Sequence, residues 1–65
     1  MYYEAIASNG TRSITENLDH IDELNEFGAK MNRRGFLSMV VTQLGENGPV
    51  KAVTFISDGE MWERL

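Results

Sequence analysis

Hydrophobic and polar residues recur along this chain with two different periods. Residues 2–8, YYEAIAS, are rich in aromatic and small apolar side chains and read as a strand. Residues 11–15, TRSIT, read as a second. Asn9-Gly10 lies between them and is a strong hairpin signal, because a type I′ turn needs positive φ at both central residues. That turn would pair Ala7 with Arg12 and Ala5 with Ile14, with Tyr3, Ala5, Ala7 and Ile14 on one face. Two small alanines on that face would let a helix sit close. Over residues 17–31, NLDHIDELNEFGAKM, the period becomes helical. At about 100° per residue, Leu18, Ile21, Leu24, Gly28 and Met31 fall on one side. Asp19, Asp22, Glu23 and Glu26 fall on the other, with Lys30 nearby.

The ends of this helix carry their own signals. Asn17 suits the N-cap, where its side-chain oxygen can accept a free N–H of the first turn. Ser13 with Glu16 forms a rival capping box, but that start would consume the strand over 11–15. Lys30, Arg33 and Arg34 match the negative end of the helix dipole, and Glu26–Lys30 is a favourable i,i+4 pair. Gly35 is placed to end the helix in a left-handed conformation. Gly28 on the apolar side weakens the helix by roughly 1 kcal/mol relative to alanine, which points to a neighbour approaching closely there.

Residues 36–44 (FLSMVVTQL) and 50–57 (VKAVTFIS) are rich in β-formers, with GENGP between them, and predict a second hairpin. A turn at Asn47-Gly48 pairs Met39 with Ile56, Val40 with Phe55 and Val41 with Thr54, and sets Pro49 at the start of its strand. A longer loop would shift the register and exchange both faces. With the Asn47-Gly48 turn, Leu37, Met39, Val41, Ala52 and Ile56 share one face, and Phe36, Val40, Leu44, Val53 and Phe55 share the other. A sheet covered by one helix should be polar on its second face, yet this hairpin is apolar on both. The expectation is that the C-terminal segment or another chain covers the second face. That segment, DGEMWERL, turns at Asp58-Gly59 and is too short for an independent helix. Trp62 is expected to pack on the second face of the sheet; the sharper reading makes it an interface anchor.

The order strand, strand, helix, strand, strand predicts an α+β fold of two layers: ββαββ, one amphipathic helix across a four-stranded sheet, residues 1–65 forming one small domain. In element order and length it resembles the β-grasp arrangement of small bacterial immunoglobulin-binding domains. That resemblance implies a sheet whose first and last strands are central and parallel.

Composition narrows the chemistry. With 65 residues and no cysteine, the chain has a small core and no disulfide or thiolate metal site to staple it. Packing or a partner must supply the rest. No apolar run is long enough to cross a membrane or serve as a signal peptide, so a cytoplasmic protein is expected, and the start at Met1 without a C-terminal tail suggests a complete small gene product. A net charge of −4 repels nucleic acid unless the basic residues cluster. Lys30, Arg33 and Arg34 do cluster, and Tyr2, Tyr3, Phe36 and Phe55 could stack on bases. The end of the helix explains the cations better. His20 is the only histidine and has no second ligand beside it. Four helix-face carboxylates lack the loop carbonyls of a calcium cage. The serines stand in no nucleophile motif, and no phosphate-binding glycine pattern occurs. No metal and no cofactor are expected.

The expectation is therefore a non-enzymatic protein-binding or regulatory module, of the kind found among small bacterial or phage accessory proteins. It would dock on a larger partner or dimerise through the second apolar face, with Phe36, Val40, Val53, Phe55 and Trp62 at the interface. The alternative is an acidic inhibitor whose Asp19, Asp22, Glu23 and Glu26 imitate a phosphate backbone and block a nucleic-acid-handling protein.

Overall fold

A computed structural model describes residues 2–65. Runs rich in β-branched and aromatic residues build the strands β1 (Tyr2–Ser8), β2 (Ser13–Leu18), β3 (Ser38–Gly45) and β4 (Gly48–Ser57). Among the described residues a single helix, α1 (Glu23–Arg33), lies between β2 and β3, and a short strand, β5 (Trp62–Arg64), follows β4. The class is α+β as expected, with one helix on an antiparallel sheet. The sheet has five strands rather than four, in the order β2-β1-β3-β4-β5. All four pairings are antiparallel. The central and parallel first and last strands of a β-grasp sheet are therefore not formed: β1 pairs with β2 and β3, and the C-terminal strand is an edge.

The first hairpin keeps its faces but not its turn. Ser8 pairs with Ser13 and Ala7 with Ile14, two residues beyond the register of an Asn9-Gly10 turn. Asn9 causes the shift. Its side-chain Oδ1 accepts the N–H groups of Thr11 and Arg12 at 3.0 and 2.8 Å, building a longer loop over residues 9–12. A shift of two preserves the alternation, so Ala5 and Ala7 still face the helix and are fully buried.

The helix begins later than its periodicity predicts. Leu18 is the last residue of β2, pairs with Tyr3 and is buried from the sheet side. It satisfies the strand period through Ile14 and Glu16 as well as the helical one, and strand pairing wins. Asn17 is therefore no N-cap, and Ser13 is in a strand. Residues 19–22 make a tight turn whose carbonyls at His20, Ile21 and Asp22 accept the N–H groups of Glu23, Leu24 and Asn25. Glu23 Oε2 accepts the Asp19 N–H at 3.0 Å and ties turn to helix. Ile21 is half exposed, while Phe27 takes the buried place beside Gly28 and Met31. Burying Phe27 and Met31 contributes about 2–3 kcal/mol each. The helix ends at Gly35 as expected: Gly35 N–H donates to Asn32 O and Phe36 N–H to Met31 O, the Schellman pattern, with Gly35 at φ +84.

The second hairpin differs from its predicted register by one residue. Met39 pairs with Phe55, Val40 with Thr54 and Val41 with Val53. The turn is Glu46-Asn47, between the paired Gly45 and Gly48. Leu44 then faces Pro49, but Gln43 faces Lys51, so Val50 is an extra residue in β4. This β-bulge exchanges the faces of everything after it. Met39, Val41, Val53 and Phe55 consequently share the helix side, and Val40, Leu44, Ala52 and Ile56 share the other.

The core is Ala5, Ala7, Leu18, Phe27, Met31, Phe36, Met39 and Val41, with Tyr3, Ile14, Leu24, Phe55 and Trp62 packed around it. Trp62 lies on the helix side and not on the second face. Its Nε1–H donates to the Gly28 carbonyl at 3.0 Å. A Cβ on residue 28 would stand 2.9 Å from that nitrogen, which identifies the close neighbour expected at Gly28. Asn32 Nδ2 donates to Glu60 O at 3.3 Å and holds the preceding turn to the same helix.

Candidate functional site

Two surfaces emerge from this arrangement. The first is the uncovered face of the sheet. On it, residues alternate with the buried ones: Tyr2, Glu4, Ile6 and Ser8 from β1, Ser38, Val40, Thr42 and Leu44 from β3, and Ala52, Thr54 and Ile56 from β4. Ile6 stands beside Val40, and Tyr2 beside Leu44. Tyr2, Val40 and Ile56 are exposed at 44%, 36% and 45%. Hydroxyl side chains separate these apolar ones, and Glu4 and Glu63 carry the face's carboxylates. The C-terminal segment does not fold over this face; it extends the sheet as β5.

Only one of the predicted interface residues, Val40, belongs to this surface. Phe36 is in the core. Val53 and Phe55 lie on the helix side and line a notch of about 160 Å³ with Tyr3, Ile21, Leu24 and Lys51. Trp62 is held by Gly28. The single extra residue at Val50 moved them, and no side-chain pattern in the sequence announces it. Ile6, Leu44 and Ile56 were legible as strand residues, but only the true register collects them on one face.

The second surface is a groove of about 660 Å³ between the outer edge of β2 and α1. Its walls carry Glu16 from the strand, Asp19 from the turn, and Glu23 and Glu26 from the first turn of the helix. Leu18, Phe27 and Ala29 supply apolar surface, and Lys30 and Arg33 close the far end. Asp19, Glu23 and Glu26 were legible as an acidic stripe. Asp22 is exposed but lies outside the groove lining. Glu16 was missed because it stands on a strand; its partner Ala5 is buried under the helix, so both side chains point to that side.

Other candidate groups stand apart from these surfaces. His20 is exposed in the turn before the helix. Among the described residues, no three His, Cys, Asp or Glu side chains are grouped to hold a metal ion. Tyr3, Phe36 and Phe55 are turned to the helix side or buried, so they form no stacking platform with Tyr2. Asp58 accepts the N–H groups of Met61 and Glu60 at 3.0 and 2.9 Å. Those two backbone bonds hold its carboxyl below the ordinary carboxylate value and shape the turn into β5. Among the described residues, no helix is long and apolar enough to cross a membrane.

The fold and these surfaces define a small two-layer α+β domain with an acidic groove and an apolar sheet face. Compared with family models, curated proteins and solved structures, the chain matches none.

Proposed function

We propose that this chain is a non-enzymatic protein-binding module whose first partner is a second copy of itself, joined through the uncovered sheet face. The observation that carries the reading is the apolar set Tyr2, Ile6, Val40, Leu44 and Ile56 on a face that none of the described segments covers. Among the described residues the core contains eight buried hydrophobic ones, two of them alanines, so the monomer has little burial to spare. A second copy supplies what a disulfide or metal supplies in other small domains. Five strands about 4.8 Å apart and roughly 20 Å long give a face of about 500 Å². Two such faces bury roughly 1,000 Å², at the lower edge of specific interfaces, so the dimer should be concentration-dependent.

Sedimentation over a wide concentration range tests this. The mass should rise from monomer to dimer, and Val40→Lys with Ile56→Lys should hold the chain monomeric without unfolding it. Wild-type protein that stays monomeric throughout removes the second copy as occupant.

A second reading, the acidic inhibitor, draws support from the exposure of Asp19, Asp22, Glu23 and Glu26 together. It requires salt-sensitive capture of a nucleic-acid-handling protein, abolished when these four become alanine or lysine. Binding unchanged by that substitution rejects it.

A further inference from the structure

We infer that the groove between β2 and α1 is a docking site for an extended, basic peptide segment of another protein, which adds to the sheet as a strand beside β2. The surface is separate from the proposed dimer face, so the two readings stand or fall independently. It also differs from nucleic-acid mimicry, because backbone pairing, and not only charge, holds the occupant.

Three features converge on this occupant. First, β2 is an edge strand: it pairs with β1 on one side, and its other side faces the groove. Alternate N–H and C=O groups of an antiparallel edge point outward and accept a further strand. Ser13–Leu18 contains no lysine and no proline, and its one charged side chain, Glu16, repels an acidic strand but suits a basic one. Second, the groove is bounded by a helix rather than open to water. A strand laid along β2 would have one row of side chains facing α1, because side chains alternate between faces. Third, the charge is acidic over the part of the groove lined by residues 16–26, with Lys30 and Arg33 confined to its far end. Glu16 stands on the strand wall, Glu23 and Glu26 on the helix wall, and Asp19 at the end where they meet. Lysine or arginine at alternate positions of the incoming strand would meet these carboxylates. The residues between them would fall on the uncovered side of the sheet, where a β-branched valine favours the extended strand. The charge of −4 steers such a segment inward and turns a phosphate backbone away. This is strand addition, in which main-chain bonds give affinity and alternate side chains give specificity.

The experiment uses the whole chain and a synthetic peptide of alternating lysine and valine, as long as β2 and fluorescently labelled. Two control peptides accompany it, one with glutamate replacing lysine and one with alternate amides N-methylated. Anisotropy should show saturable binding of the lysine peptide alone. Hydrogen exchange should show new protection at amides within residues 13–18. Glu16→Lys with Glu26→Lys, both at exposed positions, should weaken binding at least tenfold. If the N-methylated peptide binds equally well, charge alone attracts the peptide and strand addition is rejected. Protection appearing elsewhere, or unchanged affinity in the charge-reversed variant, rejects the groove as the site.

Discussion

Gly28 and Trp62 are 34 residues apart in the chain and meet through the indole N–H and the glycine carbonyl. A methyl group on residue 28 would displace the indole and strain that bond, although alanine favours the helix by roughly 1 kcal/mol. Gly28→Ala is therefore expected to destabilise the protein by about 1–2 kcal/mol, read as a lower urea midpoint with unchanged slope. In a Trp62→Ala background the same substitution should become neutral or stabilising. That reversal in a double-mutant cycle separates the contact from helix propensity. The glycine was legible as a close approach because it interrupts an apolar stripe. The indole was not identifiable as its partner, because a contact across so many residues has no local signature. Phe27 escaped notice for a different reason. The helical wheel was anchored on Leu18 and Ile21, which precede the helix, and the apolar face turned away from Phe27 accordingly.

At the scale of elements, the bulge at Val50 absorbs one extra residue after the turn and lets β4 present Val53 and Phe55 to the helix. Val50 is 63% exposed, so Val50→Ala should change stability by less than about 0.5 kcal/mol. Deleting the residue is a different experiment. It lets Lys51 follow Pro49 directly, so Gln43 still faces Lys51 and Val53 and Phe55 stay on the helix side in a regular ladder. The deletion should therefore keep a sharp cooperative transition; loss of that transition would show that the bulge itself, and not the register it leaves, is required. The β4–β5 turn depends on a carboxylate instead. Because the fold holds Asp58 below its ordinary value of 3.8, its contribution is present above that pH and is lost as pH falls through the lowered value. Asp58→Asn should flatten the acid limb of the stability profile below about pH 4 and leave the neutral limb parallel to wild type. The elements that were legible, β1, β3, β4 and the C-terminal half of α1, combine strong periodicity with matching end signals. Those that were not, the bulge and the three-residue β5, arise from pairing between strands and leave no period to read.

At the scale of the molecule, the two surfaces should respond to salt in opposite directions. Two copies at −4 each repel one another, and the sheet face that joins them adds the carboxylates of Glu4 and Glu63. Added salt screens that repulsion and should shift the dimer midpoint to lower protein concentration. A basic strand in the acidic groove is attracted by the same charges, so its affinity should fall over the same salt range. A titration series in sodium chloride, followed by sedimentation for one and anisotropy for the other, should give slopes of opposite sign. Equal signs would mean that one surface is doing both jobs. The layered arrangement has a geometric consequence too. Because the helix and groove lie on the side of the sheet away from its uncovered face, a dimer joined through that face leaves both grooves open. Two linked basic segments could then be held at once, with the second binding event made effectively intramolecular.

The docking of β5 also gives the protein an optical property. Trp62 is the only tryptophan in the chain, and its indole is partly shielded against the helix at Gly28. Its fluorescence therefore reports on the attachment of the last strand, without a label and without signal from either proposed surface. An emission maximum that moves to that of water-exposed indole while the far-ultraviolet circular dichroism stays unchanged would mark a molecule that has released β5 and kept the rest of its fold.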